Sequence, residues 1–126
     1  MTKPGNQGLT RILNAAGYSA KGFRAAWTYE SAFRQEVVLT LALTPLAVFL
    51  GRDASEVSLL IASLILVMVV ELLNSGIEAA VDRISDESHV LSGRAKDLGS
   101  AAVFLSLVLV VVLWGGVVIE RLALFA

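Results

Sequence analysis

The chain has 126 residues, of which 56% are hydrophobic and 17% charged, with a net charge of −1 and a mean hydropathy of +0.76. That length leaves room for one small domain, and that hydropathy exceeds what a soluble domain carries, so a membrane protein is expected. The near-zero net charge gives no sign of a nucleic-acid partner, and the absence of cysteine excludes a disulfide framework, thiol catalysis and cysteine-based zinc or iron–sulfur sites.

Residues 1–8 are polar and glycine-rich instead of basic and then apolar, so no cleavable leader is expected. Over 8–28, Leu9, Ile12, Leu13, Ala16, Ala20, Phe23 and Trp27 recur at helical spacing, while Arg11, Asn14, Lys21 and Thr28 fall outside that stripe. The pattern predicts an amphipathic helix lying in the membrane interface. Gly17 and Gly22 each cost about 1 kcal/mol of helix propensity relative to alanine, which leaves open one helix or two. Periodicity does not separate a surface anchor from a lid over a site.

Apolar runs follow at 37–50, 57–70 and 101–119. Only the last approaches the roughly 20 residues that cross a bilayer unaided. The first continues a helix-compatible polar stretch at 31–36, and the second runs into another at 71–84. Three spanning helices at about 31–50, 56–84 and 94–121 are therefore expected, with polar stubs at their cytoplasmic ends. A start at Ser31 or slightly earlier stays open, and Pro45 is a candidate kink that neighbouring helices can accommodate.

Basic residues set the orientation. Lys3, Arg11, Lys21, Arg24 and Arg34 precede the first span and Arg83, Arg94 and Lys96 lie between the second and third, against Arg52 and Arg121 on the other side. That asymmetry places the N-terminus and the 83–96 segment in the cytoplasm and the C-terminus outside.

The second span ends in ELLNSGIEAAVD over 71–82, which puts Glu71, Asn74, Glu78 and Asp82 at i, i+3, i+7 and i+11, on one helical face. Ionisable groups directly after lipid-depth sequence are costly and mark functional candidates. Glu30, Glu36, Glu71 and Glu78 are hard oxygen ligands suited to magnesium, and Arg11, Lys21, Arg24, Arg34, Arg94 and Lys96 are matching cations for phosphate. Together they form a kit for phosphoryl transfer, with solvation of helix ends and interhelical pairing as the competing reading. Gly17 and Gly22 have the spacing of a phosphate-binding GxxxxGK loop, but Phe23 stands where lysine is required, and neither GxGxxG nor HExxH occurs. His89, in the polar loop 85–92, fits a solvated or nucleotide-edge place better than that of a base.

Four motifs, AAGYSAKGFRAAW at 15–27, ESAFRQE at 30–36, ELLNSGIEAAVDR at 71–83 and SGRAKDLGSAA at 92–102, resemble the prokaryotic diacylglycerol kinase family in order and spacing. Ala20, Gly76 and Leu98 stand where that family commonly has tryptophan, alanine and methionine. The resemblance implies an all-α membrane protein, a homotrimer of subunits with one interfacial helix and three transmembrane helices each, whose active sites are shared between neighbours. It implies an enzyme of the bacterial inner membrane that phosphorylates diacylglycerol with MgATP. Within that resemblance Glu71 is the general base, Asn74 orients the base or the phosphates, and Glu30 and Glu78 are metal ligands. Arg11, Tyr18, Glu87, His89, Lys96 and Asp97 match nucleotide-contacting positions, which Glu30 and Glu78 share through the metal. Ser19, Arg24, Arg34, Glu36 and Ser100 match the lipid side, together with Glu71. An undecaprenol kinase would share the same stripe, and a non-catalytic channel or scaffold would use it to line a pore or join helices.

Overall fold

A computed structural model describes residues 7–125; Lys3, one of the basic residues counted for orientation, lies outside them. The described residues form four helices and no strand: α1 (Gly8–Tyr29), α2 (Ser31–Leu50), α3 (Ala54–Ile84) and α4 (Val90–Ala123). At 1.5 Å per residue, α3 and α4 are about 46 and 51 Å long, against a hydrocarbon core of about 30 Å. α2, α3 and α4 are each long and apolar enough to cross a membrane, and the chain is a multi-pass membrane protein.

The ends of these helices follow from local chemistry. α1 runs unbroken through Gly17 and Gly22, and breaks at one residue, Glu30, whose backbone is extended (φ −115°, ψ 103°). The Glu30 N–H closes α1 on the Ala26 carbonyl at 2.9 Å, and the same residue starts α2 without a side-chain cap. Arg34 Nη1 donates to the carbonyls of Trp27 (2.7 Å) and Thr28 (3.3 Å), placing a cation on the negative end of α1. Phe23 and Phe33 stack at 6.5 Å and pin α1 on α2. Pro45 sits inside α2, which continues past it.

The turn at 51–53 is tight because Gly51 has no side chain: a Cβ there would run into the Val57 side chain. Asp53 Oδ1 accepts the Glu56 N–H at 2.9 Å, so α3 begins at Ala54, slightly earlier than the apolar run implied. His89 Nδ1 accepts the Leu91 N–H at 3.0 Å and starts α4 at Val90, four residues before the expected 94. Both connections are short, so α2, α3 and α4 form an antiparallel up-down-up arrangement with α3 in the middle, packed on α4 and on α2.

The core is thin. Ala26, Phe33, Ala47, Leu60, Leu64 and Val67 are the buried apolar side chains, while large apolar groups along every span stay exposed. In water that would be an unstable surface; against lipid tails or further copies it is an ordinary one. Several polar groups within the spans are satisfied locally. Thr40 and Thr44 hydroxyls donate to the Glu36 and Thr40 carbonyls, and Trp114 Nε1 ties α4 to α3 through Ser63 Oγ (3.2 Å) and the Leu60 carbonyl (3.3 Å). At the end carrying the 51–53 turn, Arg52 bridges Glu56 (3.1 Å) and Glu120 (3.0 Å), and Arg121 Nη2 donates to the Phe49 carbonyl (3.0 Å).

Candidate active site

A second group of acidic side chains gathers at the other end. Along α3 the 3.6-residue period carries Glu71 and Asn74 inward, where they are 7% and 8% exposed, while Glu78 is half-buried and Asp82 lies at the surface. Glu30, from the α1–α2 junction, and Glu78 are close enough to repel Glu71, and Glu71 in turn acts on Glu36 of α2. Three carboxylates, from the α1–α2 junction, α2 and α3, thus lie around Glu71. The Ser75 hydroxyl stands beside the Glu71 carboxylate, one turn along the helix. Asn74 Nδ2 reaches Glu78 Oε1 at 3.4 Å, and Asn74 Oδ1 is buried with no partner, as is Glu36 Oε2.

Lys96 of α4 brings a cation toward this cluster. Its Nζ pairs with Asp82 Oδ1 at 2.6 Å across the α3–α4 hairpin, and it also feels the charge of Glu78. Such an exposed pair contributes little to stability by itself. Its consequence is positional, because it holds an ammonium group at the mouth of a polar cleft of about 300 Å³ lined by Asp82, Glu87, His89, Gly93 and Lys96 among others. With His89 Nδ1 committed to capping α4, its Nε2 is the ring nitrogen left for other partners.

A second, larger cleft of about 570 Å³ opens between α1 and α3. Phe23, Ala25, Ala26, Leu72 and Ala79 make it mostly apolar, and Ser19, Glu30 and Ser75 supply its polar groups. Gly22 and Gly76 line it from opposite helices, and a Cβ at either would meet nothing within 4 Å, so their missing side chains leave the space open. The cleft therefore joins a lipid-like lining to the carboxylate cluster through Glu30.

The structure brings together Glu30, Glu36, Glu71, Asn74 and Glu78, puts Ser19 in the apolar cleft, and puts Glu87, His89 and Lys96 in the polar one. Arg11, Tyr18, Arg24, Asp97 and Ser100 are exposed and line neither cleft; the Tyr18 ring carries Lys21 Nζ at 5.9 Å. Arg34 is occupied as a cap on α1. Sequence reasoning put Asp82 on the acidic stripe without a specific role and singled out neither Ser75 nor Gly99. Ser75 carried a usable signal, since i+4 from Glu71 is one helical turn, whereas the others depend on α4.

Among the described residues no three His, Asp or Glu side chains converge as a metal cage. Magnesium does not need one, since it takes one or two carboxylates and shares its remaining positions with water and phosphate. Glu30 is not spent on capping and Glu78 is engaged only by the long Asn74 contact, so these two hard-oxygen donors suit that ion.

Fold and site together define a small multi-pass helical protein whose spanning helices deliver carboxylates to one end beside an apolar cleft. The prokaryotic diacylglycerol kinase family model matches residues 17–118. Curated relatives include the diacylglycerol kinases of Escherichia coli strain K12 (58% identical over 107 residues, 85% of this chain and 88% of the relative) and Haemophilus influenzae (51% over 110, 87% and 93%). That of Pseudomonas aeruginosa is 51% identical over 115 residues, 91% of this chain and 94% of the relative. The chain belongs to the prokaryotic diacylglycerol kinase family, and it is a kinase, which sets aside the non-catalytic scaffold reading.

Proposed function

We propose that this protein transfers the terminal phosphate of ATP to the free hydroxyl of diacylglycerol, giving phosphatidic acid at the cytoplasmic face of the bacterial inner membrane. The observation that carries the reading is the junction of the apolar α1–α3 cleft with the cluster of Glu30, Glu71, Asn74 and Glu78. A lipid hydroxyl cannot leave the interface, so the base must come to it, and the polar end of a spanning helix sets a carboxylate at that depth.

In this mechanism Glu71 accepts the hydroxyl proton while Ser75 fixes the rotamer of its carboxylate. Asn74 steadies Glu78, and Glu30 and Glu78 would hold magnesium with the nucleotide. Bound magnesium would neutralise charge on the phosphate oxygens. Lys96, already parked by Asp82 at the polar cleft, supplies a cation to the phosphates, and Glu87 and His89 border the nucleotide. Positioning the hydroxyl and the terminal phosphate in line accounts for most of the acceleration, and no covalent enzyme intermediate is required.

α1 lies in the interface in this reading, roofing the lipid cleft, with the N-terminus cytoplasmic and the C-terminus outside, as the distribution of basic residues supports. The active assembly is a homotrimer with sites shared between subunits. Support for sharing comes from Arg11 and Tyr18, which lie away from the polar cleft of their own chain and would complete a neighbour's. The test is phosphorylation in mixed micelles with MgATP and either diacylglycerol or undecaprenol. Much faster turnover of diacylglycerol is expected, and equal or faster turnover of undecaprenol would transfer the assignment to the polyprenol.

A further inference from the structure

Helix α4 brings no carboxylate to the acidic cluster, yet it touches the stripe at Gly99. This residue is buried in the middle of a 34-residue helix, where glycine is a poor helix former and needs a reason. Its φ is not positive, so conformation is not that reason. Space is. A Cβ built at Gly99 would collide with Asn74 Oδ1 and stand 3.2 Å from Asn74 Cγ and 3.8 Å from Asn74 Cβ. All three nearest neighbours belong to one side chain of α3. That side chain is itself 8% exposed, its Oδ1 has no partner, and its Nδ2 is the group that reaches Glu78.

We infer that Gly99 is a positioning residue for Asn74: its missing side chain is the socket that seats the Asn74 amide and fixes how that amide presents itself to Glu78 and the phosphates. The inference rests on the proposed role of Asn74 and Glu78 toward MgATP. With a methyl group at position 99, the amide must swing off α4, and its contact with Glu78 is lost. The helix itself would welcome alanine, so intrinsic propensity and the socket predict opposite signs for the same substitution.

The experiment is a double-mutant cycle on the full chain in detergent–lipid micelles: Gly99→Ala, Asn74→Ala and the pair, followed by thermal unfolding, by kcat and KM for MgATP and for diacylglycerol, and by equilibrium binding of magnesium with a non-hydrolysable ATP analogue. Gly99→Ala is expected to lower the unfolding midpoint, to reduce kcat on the order of 10- to 100-fold as a displacement of about 1 Å does, and to weaken analogue binding. The KM for diacylglycerol stays within about twofold, because Gly99 does not line the lipid cleft. On the Asn74→Ala background, which removes the obstructing amide, the same change costs neither stability nor further activity. If Gly99→Ala does not fold alone, the pair should still fold like Asn74→Ala, and failure of both refutes the socket. Additive losses of stability would likewise overturn it. Coupled stabilities with an unchanged kcat for Gly99→Ala, while Asn74→Ala is impaired, would reduce Gly99 to packing; unchanged kcat in both single variants would instead remove Asn74 from the mechanism.

Discussion

Replacing Glu71 with glutamine should move activity and stability in opposite directions. The amide keeps the shape of the carboxylate and retains an acceptor for the Ser75 hydroxyl. What it loses is the negative charge and the capacity to take a proton. A general base is worth about 10²- to 10⁴-fold, or roughly 3–5 kcal/mol of barrier at about 1.4 kcal/mol per factor of ten. Loss of charge acts the other way on folding. Glu71 is 7% exposed and lies near Glu30, Glu36 and Glu78, so removing its charge relieves their mutual repulsion. The assay pairs lipid phosphorylation at saturating MgATP and diacylglycerol with the unfolding midpoint of the purified protein. We expect turnover to collapse while the midpoint stays level or rises and nucleotide binding survives. Turnover within about tenfold of the parent would refute the base assignment. A midpoint that falls with the activity would refute the account of a repulsive cluster.

Subunits carrying Glu71→Gln should complement subunits carrying Glu30→Gln when co-assembled from separated monomers; mixed assemblies that exchange subunits yet recover no activity at any ratio would count against shared sites. Gly76→Leu fills the α1–α3 cleft from the α3 side, so the KM for diacylglycerol should rise while the KM for MgATP holds, and kinetics that change only for the nucleotide would move the lipid elsewhere. Trp114→Phe removes the indole donor to Ser63 and the Leu60 carbonyl, which should cost about 1 kcal/mol of stability and leave the KM values untouched, as thermal unfolding and steady-state kinetics will show.

The spanning helices were legible because apolar runs and helical period are properties of one segment at a time. Their ends were less so: Asp53 and His89 extend α3 and α4 beyond the apolar runs through side-chain caps, and polar residues there looked like loop. The inward stripe of Glu71 and Asn74 followed from spacing alone. The pairing of Lys96 with Asp82 and the seating of Asn74 against Gly99 did not, since both depend on the register of α4 against α3, which the loop between them sets. Arg34 shows the opposite difficulty. Its charge fitted a phosphate or lipid contact, and only the geometry at Glu30 shows that two carbonyls of α1 already claim it. Roles for exposed Arg11, Tyr18, Asp97 and Ser100 rest on family resemblance, because no feature of a single chain gathers them.

α3 is unbroken from Ala54 to Ile84, so the seven-residue step from Glu71 to Glu78 separates their backbones by about 10 Å along the axis. In the proposed mechanism the helix therefore works as a ruler with two fixed marks, one at the acceptor and one at the donor, and neither mark can slide without the other. A membrane thicker or thinner than the apolar part of α3 displaces the whole ruler relative to the lipid headgroups and leaves the spacing intact. Host-bilayer thickness should then govern how often a hydroxyl comes level with Glu71, while the nucleotide end, carried on the same rod, keeps its own geometry.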